Sequence, residues 1–482
     1  MRNQTTNDRA GGERLERDAL GELPVPSDAL YGIHTRRAAL NFPFSGYAPH
    51  PALVAALAQV KHACARANLE LGFLEPEVAE AIIAACQEVA EGQWGGHFVV
   101  DPFQGGAGTS MNMNANEVLA NRASELLGGG RGRESLVHPL HHVNLHQSTN
   151  DVYPTAVRVA ALVLLAELEA RISALQEALQ EAEGRMRGVV RVGRTELMDA
   201  VPTTMGMTFG AFADAVARDR WRIFKCRERI KKVNLGGTAI GTGLGAPRDY
   251  VLRVAGDLRL VTGLPVSRAE NLVDATQNLD PFVEVSGMLK AFAVTLVKVC
   301  SDLRLLSSGP HAGFGELALP PLQAGSSIMA GKINPVMPEA ATQAALRVMG
   351  NDQVLATAAS MGQLELNHLM PLVAHTLLES LTLLSGAARG LAERCVRGIE
   401  PREERCRELV RQSEALATVL VPLIGYDKVS ELLASARTSG RSIADEAEAM
   451  GIAPAGEIRQ LLTPERLCRL GFTPEDMRRM GK

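Results

Sequence analysis

Three stretches of the chain, Tyr153 to about Arg187, about Met205 to Val233 and Pro281 to Ser307, read as long helices whose Ala, Leu and Val residues cover more than one face. In the first, Ala160, Leu162, Leu164 and Leu165 do not fit on one stripe of a helix. Helices of this kind are buried between other helices, so a bundle is the architecture they require. Faces so wide need more partners than one chain's bundle provides, which predicts a core continued across subunits. The composition agrees. Hydrophobic residues make up 46% and aromatics 4%, with abundant Ala, Leu, Glu and Arg, as in a mostly α protein packed through aliphatic side chains.

At 482 residues the chain is long enough for two or three domains. A formal net charge of −4 gives no general attraction to nucleic acid or an anionic membrane, so an anionic ligand must be held by local donors. No apolar run approaches the roughly 18 residues of a membrane span. The N-terminus, with Arg2, Asp8 and Arg9 among polar residues, lacks the apolar core of a secretory signal. The expected location is the cytoplasm. Seven dispersed cysteines (Cys64, Cys86, Cys226, Cys300, Cys395, Cys406 and Cys468) without a C-x-x-C pair read as reduced packing groups.

Residues 1 to about 14 read as a loose tail. Helices then follow Pro51 and run through EPEVAEAIIAACQEVAEG. Four helix connections carry polar clusters. GAGTSMNMNANEV sets Thr109 and Ser110 after Gly105, Gly106 and Gly108, at a helix start where free amides favour an anion; capping is the competing account. QSTND (Gln147 to Asp151) puts hydroxyls and amides ahead of the first long helix, and capping explains one of them but not four. Gly193-Arg194-Thr195-Glu196 is a turn presenting a base, a hydroxyl and a carboxylate. The fourth, GSSIMAGKINPVMPE (Gly325 to Glu339), can wrap a small anion with its amides, Ser326, Ser327 and the Lys332 ammonium. An ordinary Ser/Gly-rich helix connection is its alternative.

Two other patterns are weaker. His138, His142 and His146 stand four apart, a metal-ligand spacing on a helix, but Pro139 disturbs the first turn and no Glu or Cys joins them. Gly241, Gly243 and Ala246 match a dinucleotide spacing, yet Pro247 stands where the helix should open. After Gly398-Ile399-Glu400-Pro401 a small helical module ends the chain.

The four clusters, in this order, resemble the aspartase/fumarase superfamily over nearly the whole chain. YGIHT, GAGTS and QSTND resemble aspartate ammonia-lyases more than fumarases, which tend to have AQT and QSSND there. The resemblance implies a mostly α, three-domain subunit divided at 1–146, 147–400 and 401–482. Its central five-helix bundles join as a twenty-helix core in a homotetramer, with active sites where three subunits meet. It implies anti elimination from a small dicarboxylate without cofactor or metal, releasing fumarate through an aci-carboxylate that needs concentrated donors. By motif, Ser326 is the base, activated by nearby amides and Lys332. Thr109, Ser148, Thr149 and Ser327 match donors to the β-carboxylate, with Ser110 beside them. Lys332 and Asn334 match binders of the α-carboxylate, and Asn150 and Thr195 position the amino group.

The chain departs from the family at several points. Ala330 replaces proline in GSSIMP, and Glu196 stands where Gln or His is usual. In fumarases that His pairs with a glutamate matching Glu339, so Glu196 and Glu339 are expected to be close carboxylates, unless Glu196 turns to Arg194 or another base. HPLHHVN puts Leu140 and His141 in place of Asn and Asp of a second dicarboxylate site, and His311 replaces the arginine of GPR, removing one ion pair. The expected reaction is release of ammonia from L-aspartate. Fumarate hydration, loss of another group from a substituted succinate, and a catalytically silent structural tetramer are the alternatives.

Overall fold

The computed structural model describes residues 12–472. An antiparallel hairpin, β1 (Glu13–Asp18) and β2 (Gly21–Pro26), already includes Glu13 and Arg14, so order starts before Leu15. Of the expected tail, 1–11 lie outside the described residues. Arg14 ties this hairpin to the next segment, donating to the carbonyls of Pro26 (3.0 Å), Ala29 (2.8 Å) and Tyr31 (2.7 Å).

Helices follow where the sequence supplies their starts: α1 (Ile33–Asn41), α2 (Pro51–Glu70), α3 (Pro76–Ala90) and α4 (Thr109–Leu126). Pro51 and Pro76 each occupy a first helical position, where a missing N–H costs nothing. The long α5 (Thr149–Arg185) opens with a capping box. Ser148 Oγ accepts from the Asn150 amide (3.3 Å), and Asp151 Oδ1 reaches back to the Ser148 amide (3.0 Å). Pro154 inside this helix leaves the Asn150 carbonyl without its helical donor. Asn234 Nδ2 supplies the replacement at 2.9 Å.

Next come the hairpin β3 (Val190–Thr195) and β4 (Met198–Thr204), then α6 (Met205–Ile230), α7 (Arg248–Thr262), α8 (Leu272–Gln277), α9 (Asp280–Leu306), α10 (Val336–Ser360), α11 (Met370–Arg394) and α12 (Glu403–Gln412). The three long runs read from the sequence are α5, α6 and α9, shifted by a few residues. The β3–β4 hairpin replaces the simple turn expected at Gly193–Glu196. The fold is mostly α.

The chain divides into two compact units, each made of three stretches: Met1–Ala170, Asp219–Val294 and Ala344–Ser385, and Arg171–Arg218, Thr295–Gln343 and Gly386–Lys482. The division falls inside α5, α6, α9, α10 and α11, so each of these long helices contributes to both units. In the first unit α2 packs on α3 and α7. Asp257 on α7, almost fully buried, takes Arg66 (3.2 Å) and Arg253 (2.8 Å). In the second unit the short helices after α12 close around Leu420, Leu432, Ala447 and Ile458. All seven cysteines are free thiols, six of them buried. No helix among the described residues is long and apolar enough to cross a membrane.

Candidate active site

In the first unit, α4 starts at the glycine cluster. Gly108 adopts φ +99°, and a Cβ there would meet the Tyr153 ring at 2.6 Å, so only glycine lets α4 approach α5 this closely. Thr109 is exposed, with its hydroxyl donating to the Gly106 carbonyl at 2.7 Å. Ser110 is half-buried and makes no side-chain hydrogen bond among the described residues. Ser148 caps α5 as described, and Thr149 Oγ1, buried, accepts from Asn112 Nδ2 at 3.2 Å. Asn150 Nδ2 donates to the Ala239 carbonyl at 2.8 Å, and its Oδ1 is an acceptor without a hydrogen bond among the described residues. The chain therefore brings Ser148, Thr149 and Asn150 together on the first turn of α5.

The glycine-rich stretch after α6 serves the same turn. Gly236 and Thr238 amides donate to Asp151 Oδ2 at 3.0 and 3.1 Å. These amides hold a protein carboxylate; Gly241 (φ +89°), of the dinucleotide spacing, is set by packing, since a Cβ there would meet the Val273 backbone at 2.4 Å. Burial pushes the Asp151 carboxyl up to about 6 against these amide bonds.

In the second unit, the Gly325–Asn334 loop is closed on itself. The Gly325 amide donates to the Lys332 carbonyl (2.8 Å), and Asn334 Nδ2 donates to the Gly325 carbonyl (2.8 Å). A Cβ on Gly325 would meet the Lys332 carbonyl oxygen at 2.5 Å. Inside this closure Ser326 Oγ accepts two backbone amides, Ile328 (3.2 Å) and Met329 (2.9 Å). Bonds of this kind are the common Ser turn; they also favour an ionised oxygen over a neutral hydroxyl. Ser327, Ala330 and Lys332 are exposed, and Ile328 is 89% exposed.

The β3–β4 hairpin turns on two residues, Glu196 (φ +55°) and Leu197 (φ +67°), between the Thr195–Met198 pair. Two positive φ values in a two-residue loop suit Asn-Gly, not Glu-Leu, and each non-glycine residue there costs roughly 1 kcal/mol. Leu197→Gly is expected to raise stability by about 1 kcal/mol, read as a higher thermal midpoint; no change would mean the turn is unstrained. The Glu196–Arg194 pair, the alternative to a close Glu339, does not form. Arg194 donates instead to Glu316 (3.0 and 3.1 Å), joined by Arg191 (3.4 Å), and its guanidinium lies 4.1 Å from the Phe314 ring centre. Glu196 is exposed and has no ion pair among the described residues, and no hydrogen bond joins it to Glu339 in the first turn of α10.

Two further expectations meet their geometry here. Pro139–Val143 winds as a π-helical turn, so the histidines share no α-helical face. His138 Nδ1 accepts the Leu140 and His141 amides, His142 Nδ1 accepts the His138 amide, and His146 Nδ1 bonds Asn68. Among the described residues no group of His, Cys, Asp and Glu is arranged to hold a metal. His311 is exposed, while Glu316, five residues on, takes its charge partners from β3.

The Lyase family matches residues 21–350, and the fumarase C C-terminal family matches 416–469. An aspartate ammonia-lyase from a Bacillus species is 43% identical over 459 residues, covering 95% of this chain and 98% of its own. The chain belongs to the aspartase/fumarase superfamily of lyases. A class II fumarate hydratase from Thermosynechococcus vestitus is 42% identical over 92% of this chain and 95% of its own. A fumarate lyase:delta crystallin from Brucella melitensis, solved with cobalt, superposes with a TM-score of 0.90 at 45% identity, covering 95% of this chain and all of that one. Similarity at 43% and 42% assigns the superfamily but does not separate the two reactions.

Sequence reasoning missed two residues of this lyase that hold the motifs in place. Lys61, fully buried on α2, donates to Asn144 Oδ1 (2.9 Å) and Gln147 Oε1 (2.8 Å) behind the QSTND turn. Glu316, also fully buried, anchors the strand that ends in Thr195. Neither carries a local signal, because their partners are far away in the chain.

Proposed function

We propose that the protein is an aspartate ammonia-lyase that reversibly eliminates ammonia from L-aspartate to give fumarate. The observation that carries this reading is the Ser326 turn, in which one hydroxyl oxygen receives two amide N–H groups. That arrangement lowers the cost of an alkoxide able to take the C3 proton. The dianionic aci-carboxylate formed next needs donors, and Thr149, Ser148 and Ser327 are the groups proposed to supply them. Thr109 joins them once its hydroxyl leaves the Gly106 carbonyl. Lys332 and Asn334 take the α-carboxylate. Asn150, with its amide nitrogen already tied, offers Oδ1 to the substrate ammonium, and Thr195 stands beside Glu196 to orient the same group.

The reading includes a cytoplasmic homotetramer with three-domain subunits (1–146, 147–400, 401–482), a twenty-helix core and active sites shared between subunits. Exposed apolar residues on four long helices support assembly: Val163 on α5, Trp221 and Phe224 on α6, Val294 on α9, and Leu346 and Val354 on α10. Leu140 and His141 leave a second dicarboxylate site altered.

Glu196 is the specificity element of this proposal. A carboxylate facing the leaving group favours a cationic ammonium over a neutral hydroxyl, which favours release of ammonia over fumarate hydration. Glu196→Gln is expected to raise KM for aspartate roughly tenfold through loss of a charged hydrogen bond, with an altered pH profile. Aspartate kinetics unchanged across pH would remove Glu196 from the site. The reaction itself is tested in reverse by proton NMR. Fumarate and ammonium in D2O should give aspartate with a single deuterium at C3; formation of malate alone would support the hydratase reading.

A further inference from the structure

Lys61 has no place in the chemistry above, yet it fixes the hydrogen bonds that end at Thr149. An ammonium has three donors and no acceptor, so Asn144 must present its oxygen to Lys61. The Asn144 Nδ2 then turns to the Gln147 carbonyl at 3.3 Å. The same Asn144 oxygen accepts Asn112 Nδ2 (3.2 Å) and Asn116 Nδ2 (3.1 Å). Asn112 Nδ2 also stands 3.2 Å from Thr149 Oγ1. Thr149 is therefore an acceptor on its inner side, and its own proton is uncommitted among the described residues.

The cost of this arrangement is visible. Asn112 Oδ1 and Asn116 Oδ1 are buried without a partner, although an amide flip would turn each oxygen toward a neighbour. A flip would set either oxygen against the Asn144 oxygen, which Lys61 holds in place. Burial pushes the Lys61 ammonium down to about 8, and the Asp151 carboxylate on α5 opposes the fall, so it keeps its proton at neutral pH.

We propose that Lys61 is a positioning residue: it sets the direction of each hydrogen bond in the relay Lys61–Asn144–Asn112–Thr149, so that Thr149 offers its proton, not its lone pair, to a substrate carboxylate. The inference rests on the reading of Thr149 as a ligand to a dicarboxylate. It is tested with succinate, which lacks a leaving group, by calorimetric Kd alongside thermal midpoints for Lys61→Met and Lys61→Gln, each alone and with Thr149→Val.

Lys61→Met is expected to weaken succinate on the order of tenfold. Lys61→Gln, whose amide can still donate to Asn144, should weaken it less. In the Thr149→Val background neither change should alter Kd further, because both act through one hydroxyl. Additive losses in the double variants, or a lowered midpoint with an unchanged Kd, overturn the inference while leaving Thr149 in the site. A Thr149→Val variant that binds succinate normally overturns the placement of Thr149 and the relay with it. If Lys61→Met does not fold, Lys61→Gln runs the same cycle.

Discussion

Ser326→Ala is expected to lower turnover of aspartate by about 10³-fold or more, the upper part of the range for a lost proton-transfer group. The substitution removes the oxygen that the Ile328 and Met329 amides address at 3.2 and 2.9 Å. It leaves the loop closure intact, since Gly325–Lys332 and Asn334–Gly325 use backbone and a different side chain. The freed amides lie in an exposed turn and can bond water, so the fold should keep its stability. Succinate binding within about threefold of the parent, with turnover lost, is the signature of a group used mainly in the transition state. Equal loss of binding and turnover would instead mark Ser326 as a turn-forming residue.

The second large effect is on stability. Glu316 is fully buried and receives Arg194 and Arg191, whose side chains are 10% exposed. Its backbone is held as well, because its carbonyl accepts the Arg402 amide at 2.8 Å, and Arg405 Nε donates to the Phe314 carbonyl at 3.2 Å. Glu316→Ala leaves two guanidinium groups without their carboxylate in a poorly hydrated place. The expected loss is about 3–5 kcal/mol, the usual outcome of removing one partner from a buried charge cluster. Glu316→Gln keeps an acceptor and should lose less. Because Thr195 and Glu196 directly follow Arg194, KM for aspartate should rise in the Gln variant with a smaller change in kcat. A thermal midpoint unchanged in Glu316→Ala would show that the cluster does not hold the hairpin.

The long helices were legible because a stretch such as Val159 to Ala166, apolar on every face, has few other ways to be buried. The capping box at Ser148 and Asp151 was legible for a local reason: its partners are three residues apart. The β3–β4 hairpin was not, since Glu196-Leu197 carries none of the Asn-Gly chemistry of such turns. Lys61 was hidden too. In KHACARAN it reads as a solvated lysine, and only partners 83 and 86 residues away make it a buried donor. Glu316 depends in the same way on Arg194, 122 residues earlier. Motif resemblance pointed to Ser326 and Lys332, while the two amide bonds to the Ser326 oxygen exist only in the folded loop.

The central claim is a choice of leaving group. The measurement that meets it most directly is the rise of fumarate absorbance when purified protein is mixed with L-aspartate, with L-malate and other substituted succinates in parallel. The account predicts fumarate from aspartate, far less from malate, and a rate from aspartate lowered by about 10³-fold or more in the Ser326→Ala variant. Silence on aspartate with rapid turnover of malate or another succinate would contradict it.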